Sequence, residues 1–169
     1  MANDKISKEI ESKFGNHLRM RVNGILIEDN KILMIKHKMG NGRILWSVPG
    51  GGMNFGQSAR ENLIREFSEE TGLSIEIDEY LFVHEYLKVP LHGMEHFFSV
   101  KAKSGDLKLG TDPELLPDQQ IIEEMRWMTF EDIQSLPKET LHQIFWRINS
   151  LQDLVLLRGY FNFENNSLK

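Results

Sequence analysis

The alternation of apolar and polar side chains from residue 18 to residue 38 predicts two β-strands. The two runs are separated by Asp29 and Asn30, a pair that favours the tight turn of a β-hairpin. Arg19 and Arg21 lie two positions apart, so they share one face of the first strand. Either both arginines face solvent or one of them reaches a substrate phosphate, and Arg21 is the candidate substrate-binding residue.

The rest of the chain alternates between segments of strand periodicity and segments of helix periodicity, and we predict one domain over residues 1–169. Pro90 ends the predicted strand 73–89, and Gly93 marks the turn before the predicted strand 95–103. A long polar loop covers residues 104–121, and the tail 164–169 is predicted to be disordered. Strands are predicted over 73–89, 95–103 and 121–128. A helix is predicted over 4–14, within an N-terminal extension that covers residues 1–16. One or two helices are predicted in 137–157, of which 138–149 is the clearer.

The segment from residue 58 to residue 72 carries the signals of a well-defined helix. Ser58 is a favourable N-cap, and Glu61 three residues later completes a capping box. Gly72 follows as a residue that reaches the left-handed conformation at little cost. These signals predict a helix from Ala59 to Thr71.

The acids of this helix lie beside its apolar stripe rather than opposite it. At about 100° per residue, the stripe consists of Ala59, Leu63, Ile64 and Phe67, and the adjoining arc consists of Glu66, Glu69 and Glu70. Like charges four residues apart destabilise a helix, and a hard divalent cation would relieve the repulsion. The alternative interpretation is a solvated acidic face.

A glycine-rich loop and a basic strand end precede the helix. Gly50, Gly51 and Gly52 allow the backbone to approach a ligand or metal closely, although most such runs are turns. The basic residues Lys36, His37, Lys38 and Arg43 form either a solvated strand end or the approach for a polyphosphate. Trp46 either packs in the core or stacks on a substrate.

Composition excludes several classes of site. The chain has 169 residues and no cysteine, so it has no disulfide, thiolate metal site or cysteine nucleophile. A net charge of −5 argues against broad nucleic-acid binding. No apolar run is long enough for a membrane span, and the polar N-terminus indicates a cytoplasmic protein. The spacing of His84, His92 and His96 is not that of a zinc motif.

The segment 51–73 resembles the signature of the Nudix hydrolase family. That signature is a glycine, five residues, a glutamate, seven residues and then R-E-U-x-E-E-x-G-U, where U is apolar. Here Gly51 begins the signature and residues 65–73 complete it as REFSEETGL, preceded by W-S-V-P-G-G at residues 46–51. Gln57 replaces the first glutamate. The resemblance implies an α/β fold, an α/β/α sandwich around a central mixed sheet.

The resemblance also implies a function, which is hydrolysis of a nucleoside diphosphate linked to another moiety. The implied Mg²⁺ or Mn²⁺ ligands are Glu66, Glu69, Glu70 and the carbonyl of Gly51, and Arg65 would pair with residue 57. Glu66 is the candidate base within the signature, and Asp118 and Glu124 are the candidates outside it. The candidate substrate-binding residues are Arg21, Arg43, Trp46, Gly50 and Gly51.

Two further questions stay open at this point. The segment VHEY…GMEHFF resembles members that act on nucleotide sugars or ADP-ribose. The alternative, favoured by Gln57, is a non-catalytic nucleotide-binding or sensor module. The aromatic residues Tyr160, Phe161 and Phe163 pack either on the domain or on a partner subunit in a homodimer.

Overall fold

The computed structural model describes residues 8, 11–40, 42–110 and 120–163. Its strands are β1 (Leu18–Glu28), β2 (Lys31–Lys38), β3 (Ile44–Ser47), β4 (Gly50–Gly52), β5 (Ser74–Lys88), β6 (Leu91–Ser104), β7 (Ile122–Met128) and β8 (Gly159–Phe161). Its helices are α1 (Ala59–Thr71), α2 (Phe130–Gln134) and α3 (Leu151–Leu156), with 3-10 turns at Lys138–Thr140 and Gln143–Phe145.

The strands form one mixed sheet in the order β3-β2-β1-β6-β5-β8. Strand β1 pairs in parallel with β6, and β5 pairs in parallel with β8, whereas the other pairings are antiparallel. Strand β4 pairs with β1, and β7 pairs with β2. The predicted central mixed sheet is therefore confirmed.

Two hydrophobic clusters cover the two faces of this sheet. Val22 and Leu26 of β1 pack with Leu63 and Phe67 of α1, whereas Ile25 packs with the C-terminal segment. The alternation along β1 places the clusters on opposite faces. Helix α1 therefore covers one face and residues 130–163 cover the other, which confirms the α/β/α sandwich.

Local sequence signals account for the elements nearest the candidate site. Asp29 and Asn30 have φ values of 48° and 58°, as a two-residue hairpin turn requires. Helix α1 begins and ends as predicted, with the Ser58–Glu61 capping box formed and Gly72 at φ 74°.

We expect the replacement Ser58→Ala to lower the free energy of unfolding by about 1 kcal/mol. The Ser58 hydroxyl accepts the backbone N–H of Glu61 at 3.2 Å, and alanine leaves that donor without its cap. Urea unfolding measures the change. The matched control is Ser68→Ala on the exposed side of the same helix, which should change stability by less than about 0.5 kcal/mol. Equal effects would contradict the capping role.

Three sequence predictions are wrong in the described residues. Gly93 lies inside β6 and not in a turn, because the reversal occurs at Val89 and Pro90. Ile64 is 43% exposed, since the core covers α1 only along Leu63 and Phe67. Residues 138–149 form two 3-10 turns rather than a helix, because Leu141 adopts extended geometry and bridges to Trp46.

Some predictions fall partly or wholly outside the described residues. Of the N-terminal extension, residues 11–14 are helical. The tail 164–169 and Asp118 lie outside the described residues. Among the described residues, no helix has the length and apolar character needed to cross a membrane.

Candidate active site

The glycine loop closes directly onto the acids of helix α1. The backbone N–H of Gly50 donates to Glu70 Oε2 at 2.8 Å. A Cβ atom on Gly51 would lie 2.3 to 2.5 Å from the carboxylate atoms of Glu66. Only a residue without a side chain leaves room for that carboxylate, and the pairing of β4 with β1 holds the loop in place.

The acids of the helix differ in their surroundings. Glu66 and Glu70 are buried, at 8% and 6% exposure, whereas Glu69 is half-buried. Burial raises the pKa of the Glu66 carboxyl, although Arg65 opposes this effect. The prediction that the glutamates lie at the edge of the core is correct for the two buried ones.

Arg65 bridges the acids of its own helix. Its guanidinium donates to Glu66 at 2.7 Å and to Glu69 at 2.8 Å, and also to Asn62 Oδ1 at 3.2 Å. Gln57 is exposed. The expected pairing of Arg65 with Gln57 is thus replaced, among the described residues, by bonds within α1.

The donor atoms at this place fit a hard divalent cation. Two buried carboxylates and a third on the next turn concentrate oxygen ligands, which Mg²⁺ and Mn²⁺ prefer. The raised pKa of Glu66 indicates a buried carboxyl with too little compensating positive charge. The three atoms nearest to a Cβ on Gly51 also all belong to that carboxylate.

The end of α1 is held by the beginning of the long polar loop. The backbone N–H groups of Lys108 and Gly110 donate to the carbonyls of Thr71 and Glu70 at 2.9 and 2.8 Å. A Cβ on Gly110 would lie 1.7 Å from the carbonyl oxygen of Glu69. The loop therefore leaves the acidic helix in close backbone contact, and its residues 111–119 lie outside the described part of the chain.

A cavity of about 460 Å³ lies in front of the loop and helix. It contains the predicted residues Arg21, Arg43, Gly50, Gly51, Glu66 and Glu70. Its basic side chains also include Arg19 and Lys88. The cavity extends across β1, because residues of β2 and β3 line one side and residues of β5 and β6 line the other.

Four predicted site residues are not among those that line the cavity: Arg65 and Glu69, which pair with each other on α1, and Trp46 and Glu124. Trp46 is 3% exposed and packs in the core, with the guanidinium of Arg126 5.4 Å from its ring centroid, so substrate stacking on Trp46 does not fit the structure. The position of Trp46 on β3 places its ring in contact with other buried core residues. Glu124 forms an ion pair with Arg126 and is not among the residues that line the cavity.

The sequence did not identify a buried polar cluster on the far side of the cavity. Glu95 Oε2 accepts hydrogen bonds from His84 Nδ1 at 2.9 Å and His142 Nε2 at 2.8 Å. The histidines that the sequence grouped with His84 lie apart, since His92 bonds to Glu85 and His96 to Tyr80. An acidic residue two positions before Phe97, in a largely apolar strand, is the sequence signal for Glu95.

His37 makes the fold sensitive to acid. His37 is half-buried at the cavity wall, and its partial desolvation, together with the nearby Arg21 and His142, lowers the pKa of His37 from 6.5 to about 3. In the unfolded chain the imidazole takes up a proton near pH 6.5, so unfolding binds a proton between these values. Stability contributed by neutral His37 is complete above about pH 6.5 and is lost as the pH falls toward 3.

We expect the replacement His37→Gln to reduce the fall in Tm between about pH 7 and pH 4.5. Thermal unfolding followed by circular dichroism measures it. The control is His17→Gln, which changes an exposed histidine and should leave the fall as in the unchanged protein. If the Tm of His37→Gln falls as much between these pH values as the Tm of the unchanged protein does, His37 does not cause the acid sensitivity.

Comparisons with known proteins agree with the geometry. A model of the NUDIX domain matches residues 17–147. An ADP-ribose pyrophosphatase of Methanocaldococcus jannaschii is 34% identical over 98 residues, which are 57% of this chain and 58% of that protein. A putative ADP-ribose pyrophosphatase of Bacillus subtilis is 30% identical over 96 residues, which are 54% of this chain and 45% of that protein. The chain thus spans about half the length of these curated relatives.

A solved structure shows the same fold. The MutT NUDIX hydrolase from Burkholderia pseudomallei has a TM-score of 0.61 and 24% identity, with 75% of this chain and 92% of that chain covered.

Proposed function

Because the chain belongs to the Nudix family, whose domain model matches residues 17–147, we propose that it hydrolyses a diphosphate linkage in a nucleoside diphosphate joined to a second moiety. The reaction would require Mg²⁺ or Mn²⁺. Glu66, Glu69 and Glu70 would hold the ion, together with the carbonyl of Gly51.

One observation carries this proposal. Two buried carboxylates, Glu66 and Glu70, lie against the glycine loop and also line a cavity that contains arginine side chains. Carboxylates alone would repel a diphosphate, and arginines alone would only bind it. Their combination suits a substrate that is anionic and is bound together with a cation.

The proposal gives each of the named site residues its own role. The guanidinium groups of Arg21 and Arg43 bind and orient the phosphate oxygens. Arg65 holds Glu66 and Glu69 in position through its two hydrogen bonds. Glu66, whose pKa burial raises, is the residue of the helix that we expect to accept a proton from the attacking water. The divalent ion, when bound, supplies positive charge to the diphosphate and acidifies water.

The substrate that we favour carries an organic group on each side of the diphosphate, as ADP-ribose and nucleotide sugars do. The cavity extends across β1 to both neighbouring pairs of strands, so there is room on either side of the loop. The names of the two curated relatives support an ADP-ribose-like compound.

A panel of ADP-ribose, UDP-glucose and nucleoside triphosphates tests the proposal, each with Mg²⁺, Mn²⁺ or EDTA. Water adds to one phosphorus and the P–O–P bond breaks, so ADP-ribose yields AMP and ribose 5-phosphate. We expect these products only when the ion is present, detected by liquid chromatography. If the protein binds members of the panel but cleaves none of them, it is a binding module, the alternative that Gln57 favours.

A further inference from the structure

A closed hydrogen-bond network lies between the cavity and the C-terminal segment. Glu95, on β6, is buried at 9% exposure, and its Oε2 accepts from both His84 and His142. His84, on β5, is fully buried, and its Nε2 lies 3.0 Å from Gln143 Oε1. Phe163 stacks on the His84 ring at a centroid distance of 5.3 Å. The signature of the family does not include any of these residues.

The other oxygen of Glu95 faces the phosphate-binding side of the cavity. Arg21 and Glu95 are directly paired residues of the parallel strands β1 and β6, and Arg21 Nε lies 3.5 Å from Glu95 Oε1. The guanidinium also reaches toward the glycine loop, with its Nη2 3.5 Å from the carbonyl oxygen of Gly50. Arg21 therefore lies between the buried carboxylate and the loop that closes on Glu70.

The hydrogen bonds of His142 assign its ring proton. His142 Nδ1 accepts the backbone N–H of Ile144 at 3.4 Å, so the ring proton is on Nε2 and is donated to Glu95. Burial alone would raise the pKa of the Glu95 carboxyl, but its two histidine partners and Arg21 hold that pKa well below its usual range. Glu95 is therefore a fixed anion with one oxygen occupied by histidines and the other available to Arg21.

The same protons argue against a metal ion in this cluster. The ligand atoms of His84, Glu95 and His142 lie within 4.8 Å of one another, a grouping that could hold an ion. An ion bound through His142 Nε2, the atom that now contacts Glu95, would need its lone pair, and the displaced proton would then be on Nδ1, facing the N–H of Ile144. The observed bond to Ile144 requires the opposite tautomer.

We infer that His84 and His142 are positioning residues that fix Glu95, and that Glu95 in turn orients the Arg21 guanidinium toward the diphosphate of the substrate. This inference rests on the proposed function for the identity of the ligand. An arginine that points into a cavity from a strand has many rotamers, and a buried carboxylate beside it in register selects among them. The network thus prepares Arg21 for the phosphate before the substrate binds.

The affinity for ADP-ribose in EDTA, measured by calorimetry, tests this inference without catalysis. We expect Glu95→Gln to weaken binding about 10-fold, in line with the loss of the ion pair that orients Arg21, and Arg21→Ala to weaken it at least as much. In the double variant the two effects should not multiply, because Glu95 acts through Arg21. In steady-state kinetics with Mg²⁺, Glu95→Gln should raise KM more than it lowers kcat.

Conservative replacements separate positioning from folding. His142→Gln keeps an N–H donor near the place of Nε2 and should retain most of the affinity, whereas His142→Leu should lose as much as Glu95→Gln does. The matched control is His96→Leu, since His96 lies next to Glu95 in β6 but bonds to Tyr80. That control should bind as the unchanged protein does.

Several results would overturn the inference. The first two are losses of affinity that multiply in the Arg21→Ala, Glu95→Gln double variant, and equal losses of affinity for the two His142 variants. The others are an unchanged protein that does not bind ADP-ribose, and stoichiometric Zn²⁺ binding that His84→Asn and His142→Gln both abolish. An unchanged protein that binds ADP-ribose without cleaving it would refute the proposed function, and the double-variant measurement would still decide this inference.

Discussion

Replacing Glu70 by glutamine is expected to lower kcat/KM for the preferred diphosphate substrate at least 100-fold. Residues that only support a metal ligand typically cost about 10- to 100-fold when changed, and Glu70 is proposed as a ligand itself. Glutamine has nearly the same shape and can still accept the Gly50 N–H, which Glu70 binds at 2.8 Å. The loss would therefore report the missing charge rather than a disturbed loop. Glu69→Gln should likewise abolish activity.

Steady-state kinetics with Mg²⁺ measure this effect, and circular dichroism confirms that the fold is kept. The matched control is Glu61→Gln, which removes the same charge from an exposed position of the same helix and retains a residue that suits the capping box. The control should keep its activity. A Glu70→Gln variant with more than half of the normal kcat/KM would contradict the proposed role.

Gly51→Ala is expected to remove activity and to destabilise the fold by about 1–3 kcal/mol, the usual cost of overpacking. The new methyl group would lie 2.3 to 2.5 Å from the Glu66 carboxylate, so either the acid or the loop must move. Gly51 is not among the glycines with a positive φ, so no left-handed conformation penalises alanine there. The whole effect would therefore come from the displaced carboxylate.

Gly52→Ala is the control for this experiment. The nearest atom to a Cβ at Gly52 is Arg19 Nη2 at 3.5 Å, an ordinary contact, so this variant should keep most of its stability and activity. Urea unfolding and hydrolysis of ADP-ribose measure both properties. If the two variants behave alike, the close fit of Glu66 against Gly51 is not needed for the site.

Local rules were sufficient for the hairpin and for helix α1. Asp29 and Asn30 specify a turn through their own backbone preferences, and Ser58 and Gly72 limit the helix through capping. These signals depend only on neighbouring residues. The sequence predicted Arg21 and Arg43 as substrate-binding residues; both line the cavity, and their contact with substrate stays a prediction.

Contacts between residues that are far apart in the chain could not be predicted from the sequence. The pairing of Arg21 with Glu95 comes from the parallel register of β1 and β6, which no local pattern specifies. Residues 138–149 have a helical apolar pattern, but the backbone of His142 bonds to the Trp46 carbonyl at 2.9 Å, and that tertiary bond prevails over helix propensity. The same contact explains why Trp46 is a core residue. The cytoplasmic location and the homodimer stay predictions.

Binding of Mn²⁺ is the most direct test of the central claim that the glutamates of α1 form a divalent-cation site beside the glycine loop. Titration of the protein followed by electron paramagnetic resonance measures the free ion. We expect stoichiometric binding to the unchanged protein, strongly weakened in Glu70→Gln and unaltered in Glu61→Gln. Binding that is absent from the unchanged protein, or equal in all three proteins, would contradict the claim.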